Sequence, residues 1–109
     1  MKQVSYHNFF MNFANKAKLN IILSLEKGPL SVSQITKKTG QELSAVSHNL
    51  KKLAYCHVLN VKREGKERIY SLNKETVMPI IQIVKEHVRK NCMIQLKKVM
   101  GKNEKSIFG

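Results

Sequence analysis

Between residues 31 and 72 the hydrophobic period of the chain changes from helical to extended, and it changes just after two helical runs too short to be stable alone. Ser31-Val32-Ser33-Gln34 fits a capping box, a hydroxyl at the cap with Gln three positions later, and predicts a helix over 32–38 that Thr39-Gly40 ends. Over 43–55, Val46, Leu50 and Leu53 recur at spacings of four and three and leave Ser44, Ser47, His48, Lys51 and Lys52 off the apolar stripe. The runs Val58-Leu59-Asn60-Val61-Lys62-Arg63 and Glu67-Arg68-Ile69-Tyr70-Ser71-Leu72 then alternate with period two around Glu64-Gly65-Lys66, which predicts a β-hairpin.

The flanks are helical too. Tyr6, Phe9, Phe10 and Phe13 share one face of a predicted helix over 6–13 and account for four of the seven aromatic residues. Asn15 is placed to cap a helix over 16–27, where Leu19, Ile22, Leu23 and Glu26 are joined by Ile21 and Leu25 in a wide apolar stripe, and Gly28-Pro29 stops it. Asn73 is placed to cap a last helix over 74–100, which starts near Met78 or bends at Pro79. Along it Val77, Ile81, Val84, Val88, Cys92, Gln95 and Val99 approach the spacing of a two-stranded seam. The expected organisation is one domain over 1–100 with a flexible, polar, basic tail over 101–109.

Twenty Lys and Arg oppose seven Asp and Glu, a formal charge of +13 on 109 residues, far more than solubility requires. Residues 31–73 and 74–109 each hold eight basic and three acidic side chains, with no block of five like charges, so the cations ride on folded elements rather than on a disordered arm. No apolar run approaches a membrane span, and the first residues lack the apolar stretch of an export signal, so no membrane association and a cytoplasmic location are expected. Cys56 and Cys92 are too few for a disulfide framework or a zinc ribbon; both stand where small apolar side chains are expected and read as packed thiols. No phosphate loop, nucleophile elbow or metal-binding His pair is present, so neither an enzyme nor a metal or other cofactor is expected.

Two short helices joined by a Gly-containing turn and followed by a hairpin form a winged helix-turn-helix, here mainly α with about five helices and a two-stranded wing. A helix fits the major groove of duplex DNA, where polar side chains read base edges and cations neutralise phosphates. The second helix offers Ser44, Ser47, His48 and Asn49 toward bases or phosphates, and Lys51 and Lys52 a turn later toward phosphates. The wing offers Lys62, Arg63, Lys66 and Arg68 to the backbone or an adjacent minor groove.

The chain also resembles the ArsR/SmtB winged-helix repressors over 13–73. The resemblance rests on Ala14-Asn15-Lys16-Ala17-Lys18-Leu19-Asn20-Ile21-Ile22, Leu30-Ser31-Val32-Ser33-Gln34-Ile35, Val46-Ser47-His48-Asn49-Leu50-Lys51-Lys52-Leu53 and Ile69-Tyr70-Ser71-Leu72-Asn73. It implies a homodimeric repressor bound to double-stranded DNA at an inverted-repeat operator, dimerised through its first and last helices. Independently, Tyr6, Phe9, Phe10 and Phe13, with Ile81, Val84, Val88 and Cys92, supply more apolar surface than a small monomer readily hides. Cys56-His57 stands where the family commonly has Ala-Gly, so a residue with a β-carbon makes that turn, at a cost of about 1 kcal/mol. Leu30-Ser31-Val32-Ser33 offers hydroxyls where family metal sensors place cysteines, and Glu86-His87 lacks a second His at helical spacing. Two other readings fit the composition: a thiol- or ligand-responsive sensor using Cys56 or Cys92, and a non-specific architectural or RNA-binding protein aided by Lys97, Lys98, Lys102 and Lys105.

Overall fold

The computed structural model describes residues 4–92, with side chains over 6–91, and the chain divides after Val77 into two compact units. The first contains helices α1 (Val4–Ala14) and α2 (Lys16–Ser24), strand β1 (Leu30–Ser31), helices α3 (Val32–Thr39) and α4 (Leu43–Tyr55), and strands β2 (Leu59–Glu64) and β3 (Glu67–Leu72). Helix α5 (Val77–His87) opens at the boundary and continues as a π-helical turn, Val88–Cys92.

The helix ends follow from local hydrogen bonding. Asn15 Oδ1 accepts the Lys18 N–H at 2.9 Å and caps α2. The capping box at α3 closes both ways: the Gln34 N–H donates to Ser31 Oγ at 3.3 Å, and the Ser31 N–H donates to Gln34 Oε1 at 2.8 Å. Gly40, at φ 73°, terminates α3 in the left-handed conformation. Helix α2 stops at Ser24, earlier than the expected 27, because the Leu25 N–H shortens its reach to Ile22 O at 3.1 Å; Leu25 remains buried although it is no longer helical.

The end of α4 resolves the Cys56-His57 question. His57 holds φ 62°, its N–H donates to Ala54 O at 3.0 Å, and the Val58 N–H donates to Leu53 O at 3.0 Å. This is a Schellman motif with His in the position that glycine usually fills, and Leu53 and Val58, both fully buried, form its hydrophobic contact. A β-carbon is strained at this φ, so His57→Gly is expected to raise stability by roughly 0.5–1 kcal/mol. A urea midpoint unchanged or lowered would refute the strain.

The sheet has three antiparallel strands in the order β1-β3-β2, not the two expected. Leu30 pairs with Tyr70 and Ser31 with Ile69, a strand two residues long and so without any readable period. This addition matters for position, because Ser31 is also the cap of α3: one residue joins the root of the wing to the start of the helix-turn-helix. In the hairpin, β2 and β3 run in register from Leu59 opposite Leu72 to Glu64 opposite Glu67, and Gly65, at φ 64°, opens the two-residue turn.

One core serves the whole first unit. It takes Ile21, Ile22 and Leu25 from α2 and its end, Ile35 from α3, Val46, Leu50 and Leu53 from α4, and Val58, Leu59, Tyr70 and Leu72 from the hairpin and its approach. Two polar side chains tie the α3–α4 region to α2: Lys38 Nζ donates to Ser24 O at 3.3 Å, and Gln41 Nε2 donates to Ala17 O at 3.1 Å. The relative placement of the two short helices is thus held by burial on one side and by backbone carbonyls of α2 on the other.

Helix α5 begins at Val77, the last residue of the first unit, after a turn over 74–76 whose Glu75 and Thr76 N–H groups donate to Asn73 Oδ1 at 3.0 and 3.2 Å. Pro79 lies in the first turn, where a helix has no use for its missing N–H, and the helix proceeds without interruption there. Glu86 pairs with Arg89 at 2.6 Å; this hydrogen bond and the carboxylate's charge raise the guanidinium pKa further above its ordinary value. The expected seam residues Gln95 and Val99, and the expected tail over 101–109, lie outside the described residues. Among the described residues no helix is long and apolar enough to cross a membrane.

Candidate nucleic-acid interface

Burial of Val46, Leu50 and Leu53 fixes the rotation of α4 and therefore which side chains it leaves accessible. Ser44, His48, Lys51 and Lys52 are exposed, and Ser47 is half-buried. Asn49 is half-buried as well, but it lies about 160° around the helix from Ser47 and does not share its groove.

The flank of α4 that carries Ser47 meets the wing. A groove of about 370 Å³ is lined by Ser31, Val32 and Ser33 at the start of α3, Leu43 and Ser47 at the start of α4, and Lys66, Glu67 and Arg68 of the hairpin. Antiparallel pairing sets the face on which each strand cation of the wing lies. Arg63 stands directly opposite Arg68, in phase with the Leu59–Leu72 and Val61–Tyr70 pairs whose inner members are buried, whereas Lys62 pairs with Ile69 on the other face. Lys66 sits at the tip beside Gly65. Of the expected wing residues, Lys66 and Arg68 join Ser47; Lys62 lies on the other face, and Arg63, although it shares a face with Arg68, stands on β2, the strand away from β1, and does not line the groove. Ser33, exposed at the second position of α3, was not read from the sequence; its signal was the capping box two residues before it.

Like charges directly across a hairpin repel, and Arg63 opposite Arg68 is such a pair. Among the described residues, no ion pair relieves Lys51, Lys52, Lys62, Arg63, Lys66 or Arg68. Glu42 precedes α4 without a side-chain cap, so the amides of the first turn are left without that internal acceptor. Cations without ion-pair partners and helix amides without a capping side chain are what a polyanion neutralises.

His48, Lys51 and Lys52 line a second groove nearer the C-terminal end of α4, with Asn8, Met11 and Asn12 of α1, Lys18 of α2, and Tyr55 and Cys56 at the end of α4. Cys56 is exposed, which corrects its reading as a packed thiol: it is the C-cap residue, beyond the last turn whose stripe faces the core. The side chain of Cys92 lies outside the described residues.

Apolar exposure concentrates on α1 and α5. On α1, Tyr6 is 79% and Phe10 62% exposed, while Phe9 and Phe13 are half-buried and joined edge-to-face with ring centroids 5.2 Å apart. On α5, Ile83 is 69% and Val84 51% exposed, whereas Ile81 is buried and Val88 half-buried. Among the described residues, the exposed apolar positions of α5 are thus Ile83 and Val84, of which Val84 belongs to the expected seam. Among the described residues, no three His, Cys, Asp or Glu side chains gather as a metal site.

Comparison with known proteins agrees with this architecture. Residues 15–60 match the family described as bacterial regulatory protein, arsR family. Over 59 residues the chain is 37% identical to the HTH-type transcriptional regulator NmtR of Mycobacterium tuberculosis, a match that covers 54% of this chain and about half, 49%, of that protein. NolR of Sinorhizobium fredii superposes with a TM-score of 0.68 at 29% identity, covering 75% of this chain and 82% of NolR. The homodimeric winged helix-turn-helix DNA-binding domain of a Mycobacterium bovis protein gives 0.67 at 27% identity, covering 76% and 80%. HlyU of Vibrio cholerae, at 23% identity and a TM-score of 0.70 over 84% of this chain and 99% of its own, shares the fold. Over residues 15–60, which hold α2, β1, α3 and α4, the chain is thus similar to the arsR family of bacterial regulatory proteins, and the matched segment ends in β2, the first strand of the hairpin.

Proposed function

We propose that the protein is a cytoplasmic, homodimeric transcriptional repressor that binds duplex DNA sequence-specifically, with α4 in the major groove and the hairpin on the flanking backbone. The observation that carries this reading is the groove in which Ser47, Ser33, Lys66 and Arg68 converge from three separate elements. Ser44, Ser47 and His48 read base edges or their flanking phosphates, and Lys51, Lys52, Lys66 and Arg68 supply cations. Arg63 and Lys62 extend the positive wing on its two faces. Asn49 is set aside from direct readout by its position on the helix.

The dimer rests on the apolar surface left open on α1, with Tyr6 and Phe10, and on α5, with Ile83 and Val84. The similar Mycobacterium bovis domain, a homodimer, supports the same assembly here. Hydroxyls at Ser31 and Ser33, both engaged around the α3 cap, favour a regulator without a thiolate metal site at that helix.

Selection of bound duplexes from a random pool at physiological salt tests the reading. The expected product is an inverted repeat with half-sites separated by about one helical turn, 10–10.5 base pairs, or a multiple of it. A pool with no shared motif would overturn it in favour of a generic polyanion binder, and enrichment of RNA over duplex would overturn it in favour of an RNA-binding protein.

A further inference from the structure

We propose that the groove between α1 and α4 is a binding site for a small organic carboxylate with a flat apolar body. Its volume, about 510 Å³, is that of a small-molecule site. Lys18, Lys51 and Lys52 reach it from two helices, and among the described residues none of its lining side chains is acidic. Met11 and Tyr55 provide apolar and aromatic wall, and Tyr55 is 86% exposed, an unusual state for a large ring with nothing over it.

A second, independent observation points the same way. Asn12 lines the groove, is only 3% exposed, and its Nδ2 has no hydrogen-bond partner. A buried amide left unpaired is costly, and in a folded protein it generally has a partner. Rotation about χ2 exchanges the two ends of the amide, so Asn12 can direct an N–H at a carboxylate oxygen while the lysines neutralise its charge. A phosphodiester of DNA would answer the cations but has no body to cover Met11 and Tyr55, which is why the groove favours a free organic anion.

Occupancy has a consequence that rests on the DNA-binding reading. Lys51 and Lys52 belong to both surfaces, so a bound carboxylate competes with phosphate for them and weakens duplex binding. The direct test needs no DNA, so its failure leaves that reading standing.

The probe is benzoate, titrated into the full chain while the side-chain amide of Asn12 is followed by NMR and the alkylation of Cys56 by iodoacetamide is quantified on its peptide by mass spectrometry. Cys56 is exposed and lines the groove, so an occupant slows its reaction. Benzoate is expected to shift the Asn12 amide saturably, with a dissociation constant of about 1 mM or tighter, and to protect Cys56 in parallel. Asn12→Leu and Lys18→Ala are each expected to weaken that binding about tenfold, read for the first by Cys56 protection alone. Benzyl alcohol and inorganic phosphate, which carry the body or the charge alone, are expected to bind at least tenfold more weakly. Four results overturn the proposal: no saturable change with benzoate, binding unaffected by both substitutions, phosphate binding as well as benzoate, or an Asn12 resonance that moves with protein dilution because a second copy supplies its partner.

Discussion

Raising monovalent salt from about 50 to 200 mM is expected to weaken duplex binding by about 10³-fold, because each phosphate neutralised by Lys or Arg releases condensed counterions. The second helix and the wing offer six cations per subunit, Lys51, Lys52, Lys62, Arg63, Lys66 and Arg68. If half of them meet phosphates in a dimer, the logarithmic salt slope is about −5. Replacing Lys66 and Arg68 with Ala removes two cations per subunit and is expected to flatten that slope by about 3.6 if all four reach phosphates, with a similar loss of affinity for every sequence. Unfolding is not expected to imitate the effect: Arg68 faces Arg63 across the hairpin, so its removal relieves repulsion. Ser47→Ala and His48→Ala should instead change which duplexes are preferred, by about 1–3 kcal/mol at a base that either residue reads, and leave the slope as it was. Binding isotherms over a salt series for the three variants decide the matter. An unaltered slope in the wing variant would remove the wing from the interface.

The parts of this site that could be read from the sequence are those specified within a few residues. The Ser31–Gln34 capping box, the Asn15 cap, the left-handed stop at Gly40 and the turn at Gly65 are each local hydrogen-bond or dihedral requirements, and each formed where its residue type demands. The strain at His57 was legible for the same reason. What could not be read is non-local. Strand β1 exists only because β3 passes beside Leu30-Ser31, and two residues contain no period to detect. Lys18 joins the groove beside α4 through the packing of α2, some thirty residues away in sequence from Lys51, and nothing in its neighbours signals that. On α5, Ile80, Ile81, Ile83 and Val84 are all apolar, so two stripes fit equally and only burial of Ile81 separates them. Asn12 inverts the usual expectation: a polar residue among the phenylalanines of α1 is its most buried described side chain.

Leu50→Ala is expected to cost ~3 kcal/mol, within the 2–5 kcal/mol that a leucine-sized cavity removes from a packed core. Leu50 is fully buried in the middle of α4, between Val46 and Leu53, and α4 packs against α2, α3 and β2. A domain of this size has a total stability of about 5–15 kcal/mol, so the loss takes a large fraction of it. The consequence for DNA binding is indirect: α4 is oriented by this burial alone on its inner side, and a loosened helix no longer holds Ser47 against the wing. Ser44→Ala, one turn and a half earlier on the exposed face, supplies the control and should change stability by no more than about 0.5 kcal/mol. Urea denaturation followed by circular dichroism measures both. The two perturbations are also separable by salt, since the stability lost at Leu50 is apolar and should be nearly independent of ionic strength while duplex affinity is not. Equal midpoints for the two variants would mean that α4 is not anchored through Leu50, and the orientation of its polar face would lose its physical basis.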